Sequence, residues 1–243
     1  MELRGRNALV TGAGHRVGRA IALALAGRGM RVAIHYNAAE KGARETLEQV
    51  RAAGADGDIF GADLTRGDAA AQLVSAVRDK FETLDVLVNS AAVMVRTPFG
   101  ETTAKQWDDI MALNLRAPFL LTQAAAPLLR ESRGVVVNIS DLAAFETWPA
   151  YVPHGISKSG VVHLTRSLAR LLAPEVRVAA IAPGTVLLPE HWDAESAEHL
   201  IETTPLHRNG SPEDVTRTVL FILDSDYLTG ETIIVDGGRN VRP

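Results

Sequence analysis

The chain has 243 residues, of which 47% are hydrophobic and 22% are charged, and its formal net charge is −4. This composition is typical of a globular α/β domain, and the weak negative charge argues against binding to nucleic acid or to an anionic membrane. Because the sequence has no cysteine, it excludes disulfides and thiolate metal sites, and we expect no metal. It shows no signal-peptide core and no apolar stretch of about 18 residues, so we expect a cytoplasmic protein.

Strand and helix patterns alternate along the chain. The predicted strands are at 7–11, 31–36, 57–61, 84–89, 134–139, 176–182 and 231–235. The predicted helices are at 17–28, 38–53, 67–81, 103–130, 154–173 and 212–223. Several strands are continuous apolar runs, which are typical of strands buried on both faces of a parallel sheet. The sequence therefore predicts an α/β fold: one doubly wound Rossmann-type domain over 1–243, with seven parallel strands and helices on both faces.

The first predicted strand leads into a glycine-rich turn and then into a helix. Glycines let the backbone turn tightly and approach a ligand, and a helix N-terminus offers free N–H groups to a diphosphate. The residues predicted to bind a dinucleotide here are Gly12, Gly14, His15, Arg16 and Val17. The alternative is that Gly14 is a simple turn residue and Gly18 a helix-packing contact.

Polar residues and turns follow the other strands where they end, and ligands bind at these carboxyl ends in doubly wound sheets. The further cofactor residues predicted there are His35, Tyr36, Asn37, Asp63, Leu64, Asn89, Ala91, Pro183, Gly184 and Val186. For Asp63 the alternative is a helix cap, and for Asn89 a turn bond. The second strand has no acid after it before Glu40, and Arg16 can pair with a 2′-phosphate, so we predict NADP(H) as the cofactor.

These motifs resemble those of the short-chain dehydrogenase/reductase family over nearly the whole chain. The family's glycine fingerprint, its Asn-Asn-Ala-Gly run, its active-site asparagine and its Pro-Gly pair correspond to 11–18, 89–92, Asn114 and 183–184. Within the family the chain is most similar to pteridine reductases. These carry an arginine in the glycine turn, His-Tyr after the second strand, aspartate in place of the active-site serine, and a Pro-Gly-x-x-Leu-Leu-Pro loop. The matching residues here are Arg16, His35, Tyr36, Asp141 and the segment 183–189.

The catalytic tyrosine of the family's Tyr-x-x-x-Lys signature is replaced here. Lys158 matches the lysine, but four residues before it stands His154, and Asp141 lies thirteen residues before His154. Positions i and i+4 share one face of a helix, so His154 and Lys158 point the same way. Histidine titrates near neutral pH without activation by a lysine, so we predict that His154 donates a proton with Asp141 on its other side. The alternative is that His154 bonds a backbone carbonyl and turnover has been lost.

The resemblance implies further roles. Lys158 holds the cofactor and Asn114 holds a water in the proton relay; a solvated lysine and a satisfied core asparagine are the alternatives. Met94 stands where pteridine reductases stack an aromatic ring on the pterin, and methionine does not enforce a flat slot. The predicted substrate residues are Met94, Tyr151, Leu188 and Trp192. The least regular segment, about 184–211, is predicted to be a substrate loop, with a surface insertion as the alternative.

The sequence thus predicts an NADPH-dependent reductase of a C=N or C=O bond in a small molecule, with a pteridine-like substrate favoured. Two alternatives remain at this point: a carbonyl reductase for acyl or sugar substrates, and a dinucleotide-binding sensor or scaffold without turnover. The resemblance also implies a homo-tetramer. The helices predicted at 103–130 and 154–173 carry apolar residues on more than one face, which agrees with that expectation.

Overall fold

The structure is a computed structural model that describes residues 2–188 and 194–241. Its strands are β1 (Asn7–Val10), β2 (Arg31–Tyr36), β3 (Gly57–Gly61), β4 (Val86–Asn89), β5 (Val135–Ile139), β6 (Arg177–Pro183) and β7 (Thr232–Val235). Its helices are α1 (Arg16–Gly27), α2 (Glu40–Ala52), α3 (Ala69–Phe81), α4 (Ala104–Met111), α5 (Ala117–Ser132), α6 (Val152–Leu172), α7 (Ala194–Glu202) and α8 (Pro212–Asp224).

The seven strands form one parallel sheet in the order β3-β2-β1-β4-β5-β6-β7. The chain therefore winds outward from β1 in one direction and from β4 in the other. This arrangement confirms the predicted doubly wound fold. The carboxyl ends of β1 and β4 lie side by side at the reversal point, which is where such sheets bind ligands.

Helices cover both faces of the sheet, and the side chains of each strand divide between two cores. Ala8 and Val10 pack with α1, α2 and α8 on one face, whereas Leu9 packs with α3, α5 and α6 on the other. This division follows from the two-residue repeat of a strand. All four residues of β1 are buried, which explains why the three residues after Asn7 are all apolar.

Two predicted segments differ from the structure. The helix predicted over 103–130 is divided into α4 and α5 by a π-helical turn at Ala112–Arg116. The segment 184–211, predicted to be irregular, contains the helix α7. Trp192, predicted to contact substrate, lies outside the described residues.

In the described part of the chain, no helix is long and apolar enough to span a bilayer. Over the same residues, no three His, Asp or Glu side chains are grouped so that they could hold a metal ion.

Candidate active site

A cleft of about 720 Å³ opens along the carboxyl ends of the strands. The predicted site residues that line it are Gly12, Gly14, His15, Arg16, Val17, His35, Tyr36, Asn37, Leu64, Ala91, Met94, Asp141, Tyr151, His154, Lys158, Pro183, Gly184 and Val186. The structure therefore brings most of the predicted cofactor, catalytic and substrate residues together. Four described residues of the predicted set do not line the cleft: Asp63, Asn89, Asn114 and Leu188.

The glycine-rich turn lies close to the loop that follows β4. Gly12 has a φ of +67°, and a Cβ built there would lie 2.9 Å from the Cα of Ala91. A Cβ on Gly18 would overlap the carbonyl of Gly12, so α1 can approach the turn only because this residue is glycine. The hydroxyl of Thr11 accepts bonds from the backbone N–H groups of Ser90 (2.9 Å) and Ala91 (3.0 Å), which fixes the two segments together.

The N-terminus of α1 is open toward this turn. Its N-cap residue, His15, makes no capping bond with its side chain. The first N–H groups of a helix otherwise lack partners and carry partial positive charge, so an anion is favoured there. A cradle that a single Cβ would fill, next to an uncapped helix N-terminus, fits the diphosphate of a dinucleotide.

Arg16 contacts the segment after β6, and its predicted pairing with a 2′-phosphate stays a prediction. Its φ is +51°, and its guanidinium Nη2 donates to the carbonyl of Leu187 at 3.3 Å. Leu187 follows β6, whereas a ribose 2′-phosphate is expected near the end of β2, on the other side of β1. In this structure, Arg16 therefore joins the turn to the segment after β6.

Asp63 and Asn89 make bonds that shape the protein. Asp63 accepts from the hydroxyl of Thr65 (2.7 Å) and from its N–H (3.0 Å), and these bonds lower the pKa of the aspartate. Asn89 is buried in the sheet and donates to the side chain of Asn138 at 2.8 Å. The predicted contact of either residue with a cofactor stays a prediction.

The predicted catalytic residues meet at the middle of the cleft. His154 and Lys158 lie one turn apart on α6, and Asp141 caps the short 3₁₀ turn Leu142–Ala144 after β5. The Nε2 atom of His154 lies 3.6 Å from the Oδ2 atom of Asp141. The other carboxylate oxygen, Oδ1, accepts from the N–H of Ala143 at 2.8 Å, so Oδ2 is the oxygen that faces the imidazole.

The surroundings of His154 indicate which ring nitrogen can exchange a proton. The ring is almost completely buried, and its Nδ1 lies 3.2 Å from the carbonyl oxygen of Val93. A carbonyl only accepts, so this bond needs a hydrogen on Nδ1, whereas the longer contact of Nδ1 with the side-chain nitrogen of Asn114 (3.4 Å) would need a lone pair there. The shorter contact favours the hydrogen on Nδ1. Nε2 is buried without a hydrogen-bond partner among the described atoms, and Asp141 is the ion-pair partner nearest to it. Nε2 is thus the ring nitrogen that makes no hydrogen bond in the described structure, although the atom itself is buried.

Asn114 positions the backbone near His154. Its amide exchanges two 2.9 Å bonds with the N–H and carbonyl of Val93 and donates to Ser157 at 3.1 Å. The side chain is buried in the π-helical turn. These contacts match the satisfied core asparagine that the sequence left as the alternative, and the water-holding role stays a prediction.

Lys158 is buried below the cleft, and its Nζ donates to the carbonyl of Ile139 at 2.9 Å. Burial lowers the pKa of Lys158, and the negative charge of Asp141 opposes that shift. Burial therefore favours the neutral amine, and the negative charge of Asp141 is what favours the cation.

One wall of the cleft is apolar and aromatic. It includes Met94, Tyr151 and Trp148, and the rings of the last two meet edge to face at 6.4 Å between centroids. Sequence reasoning missed the carbonyl groups of Val93 and Ile139, the hydroxyl of Ser157 and the cleft-lining Arg239. Backbone carbonyls carry no sequence signal, but Ser157 precedes Lys158 and Arg239 follows a Gly-Gly pair, so these two could have been considered.

Comparison with known proteins gives consistent matches. A family described as enoyl-(acyl carrier protein) reductase matches residues 12–240. The 3-oxoacyl-[acyl-carrier-protein] reductase FabG of Staphylococcus aureus is 34% identical over 239 residues, covering 96% of this chain and 97% of the relative. The 3-oxoacyl-[acyl-carrier-protein] reductase of Synechocystis sp. is 34% identical over 241 residues and 97% of each chain. The structure of acetoin dehydrogenase from Enterobacter cloacae superposes with a TM-score of 0.90, at 32% identity over 98% of this chain and 96% of that one.

Proposed function

The chain belongs to the short-chain dehydrogenase/reductase family of oxidoreductases, and from this premise we propose that it uses NADP(H) to reduce the carbonyl group of a small molecule. The observation that carries the proposal is the cleft itself, which joins the glycine-rich turn to His154, Lys158 and Asp141. The geometry of the cleft supports binding of a hydride acceptor between the glycine-rich turn and these three side chains.

Different residues along the cleft would bind different parts of the cofactor. The turn and the open N-terminus of α1 would hold the diphosphate, Lys158 would hold the nicotinamide ribose, and the backbone after Pro183 and Gly184 would contact the nicotinamide. The bound dinucleotide supplies the hydride. The protein supplies the position of the acceptor and the proton.

NADP(H) is proposed over NAD(H) because β2 ends without an acid. An acid there would bind a ribose 2′-OH and repel a 2′-phosphate. Tyr36 and Asn37 line the cleft at this point, and the next acid, Glu40, is bonded to Arg44. The proposal rests on this uncharged end rather than on Arg16.

Tyr36→Asp is therefore expected to shift the cofactor preference from NADPH toward NADH. The new carboxylate repels the 2′-phosphate and accepts from the free 2′-OH, so the ratio of NADPH to NADH affinity should fall by about tenfold or more, the scale of one charge-assisted bond. Fluorescence titration with both cofactors measures the ratio. Tyr36→Phe is the control, and an aspartate variant with the same ratio as that control would contradict the proposed preference.

His154 is proposed to deliver the proton. Its Nδ1–H is held by the carbonyl of Val93, and Nε2 carries the second proton beside the carboxylate of Asp141. As hydride reaches the carbonyl carbon, Nε2–H gives its proton to the carbonyl oxygen, so the products are an alcohol and a neutral imidazole. The Nδ1–H bond persists through the step and keeps the ring in place.

A carbonyl substrate is proposed first because the relatives are named for carbonyl chemistry. The aromatic faces of Trp148 and Tyr151 favour a second candidate, a cyclic C=N bond in a flat, pteridine-like ring. The Oδ2 oxygen of Asp141 could accept from an N–H group of such a ring.

Single-turnover oxidation of NADPH separates these candidates. The enzyme is mixed with NADPH and, in parallel, with a 3-oxoacyl thioester, acetoin, a ketose or a dihydropterin. We expect oxidation with one or more carbonyl compounds. Oxidation with the dihydropterin alone would support the second candidate, whereas tight NADPH binding without oxidation by any compound would indicate a sensor or scaffold.

The enzyme is further proposed to be a homo-tetramer. Large apolar side chains stand exposed on the outer helices, including Phe119 on α5, Leu171 on α6 and Phe221 on α8. Such side chains mark surfaces that a second copy covers. Light scattering at micromolar concentration is expected to give a mass about four times that of the chain, and a monomer mass would contradict the proposal.

A further inference from the structure

His35, near the end of β2, binds two consecutive residues of the glycine-rich turn. Its carbonyl accepts from the N–H of Ala13 at 2.9 Å, and its ring Nδ1 accepts from the N–H of Gly12 at 3.1 Å. The opposite ring nitrogen, Nε2, lies 3.0 Å from the carbonyl of Ala62, which follows β3. The ring is 2% exposed. One buried imidazole thus connects the turn, β2 and the end of β3.

These partners determine the protonation state of the ring. The N–H of Gly12 can only donate, so Nδ1 must present a lone pair to it. The carbonyl of Ala62 can only accept, so Nε2 must carry the hydrogen. The bonds therefore require the neutral Nε2–H tautomer. A second proton on Nδ1 would face the N–H of Gly12 and break that bond.

We propose that neutral His35 is a positioning residue that holds the glycine-rich turn in the shape that accepts the dinucleotide, and that cofactor binding weakens in acid as this ring takes up a proton. This inference rests on the proposed function, since it concerns the same cofactor site. It assigns His35 an indirect role: the ring acts on the cofactor through the backbone of Gly12.

The direction of the pH effect follows from the surroundings of the ring. Burial lowers the pKa of His35, and the bond to Ala62 opposes that shift. In an unfolded chain the imidazole titrates near about 6.5. The ordered turn is therefore fully present above that pH, and it is lost as the pH falls through the lowered pKa.

Other ionisable groups lie on the elements around the ring. They are Tyr36 on β2, Asp58 and Asp63 on the β3 side, and His15, Arg16 and Arg19 on the turn and α1. The hydrogen bonds described for the ring go only to Gly12 and Ala62. His15 needs its own control because it is an exposed histidine that lines the same cleft.

The test measures dissociation constants for NADPH and NADH from about pH 8 to about pH 5. The wild type should lose affinity for both cofactors, approaching about tenfold per pH unit below the pKa of the ring, since only the neutral form binds. NADH is included because it has no 2′-phosphate to titrate. In His35→Asn the amide oxygen can accept from Gly12 and does not titrate, so the affinity of this variant should vary little with pH, whatever its value at high pH.

The matched control is His15→Asn, which should keep the wild-type slope. A slope that persists in His35→Asn, or that disappears in His15→Asn, overturns the inference. Failure of both cofactors to bind at high pH overturns the proposed function and this inference with it.

Nitrogen NMR of histidine-labelled, cofactor-free protein distinguishes failure of this inference from failure of the proposed function. It should show a neutral ring with hydrogen on Nε2 whose signal is absent from His35→Asn. A hydrogen on Nδ1 of His35 overturns the inference whichever cofactor the enzyme uses.

Discussion

Replacing His154 by alanine is expected to lower kcat about 10²- to 10⁴-fold, the scale of one general acid. The dissociation constant for NADPH should stay within a few-fold of wild type, since the proposed contacts to the cofactor come from the turn, Lys158 and the segment after β6. The proton is given by the imidazolium form, so the wild-type kcat should fall as the pH rises. Stopped-flow oxidation of NADPH across the pH range measures both effects.

His154→Tyr is the matched variant for this experiment. It restores the family's Tyr-x-x-x-Lys pair with Lys158, and a phenol loses its proton at a higher pH than an imidazole. The variant is expected to retain activity and to hold its rate further into the alkaline range. A flat wild-type profile, combined with an alanine variant of normal kcat, would remove His154 from the mechanism and leave Tyr151, Asp141 or water to supply the proton.

Asp141→Asn is expected to lower kcat about 10- to 100-fold. The amide oxygen can still accept from the N–H of Ala143, so the 3₁₀ turn is kept, but the charge beside Nε2 of His154 is lost. The contact is an ion pair, and an opposite charge at such a distance shifts a protonation equilibrium by about 1–3 pKa units, a span that contains this range. Steady-state kinetics gives the change, and a thermal unfolding curve checks that the fold is intact.

The same variant tests Lys158. Asp141 raises the pKa of the buried lysine, so removing its charge should lower that pKa further. NADPH affinity in Asp141→Asn should therefore decline at a lower pH than in wild type as the pH rises.

A double mutant of Asp141 and His154 adds a second criterion. If the two side chains act as one proton donor, the double variant should cost no more in kcat than His154→Ala alone. Strictly additive losses would show that they act separately.

The sequence predicted the sheet because burial on both faces leaves a strong pattern. β1 and β5 are almost continuously apolar, and the division of Ala8, Leu9 and Val10 between two cores follows from alternation alone. The π-helical turn and α7 were missed for a different reason. The apolar repeat continues through residues 103–130 whether the hydrogen bonds span four residues or five, and α7 is a short helix in a polar segment.

The sequence predicted where the site residues lie in the fold, but it did not predict which groups they contact. His154 and Lys158 had to share a face of one helix, and Asp141 had to follow β5. The partners of Arg16, Asn114 and His35 could not be predicted, because each is a backbone group far away in the sequence. Backbone N–H and carbonyl groups are present at nearly every residue, so only the folded geometry determines which of them a side chain meets.

The π-helical turn at Ala112–Arg116 determines how the apolar stripe of α5 is rotated about the helix axis relative to the apolar stripe of α4. An α-helix advances about 100° per residue, so a single surplus residue rotates everything after it by more than a quarter of a circle. Here α4 packs against α6, whereas α5 packs against α3, and each keeps its own apolar stripe toward its own neighbour. Removing one residue from this turn would regularise the helix but leave one of the two stripes facing solvent. A sequence alignment that places a gap elsewhere in this helix would therefore misplace the residues of one apolar stripe by one position. Asn114 would be misplaced with them.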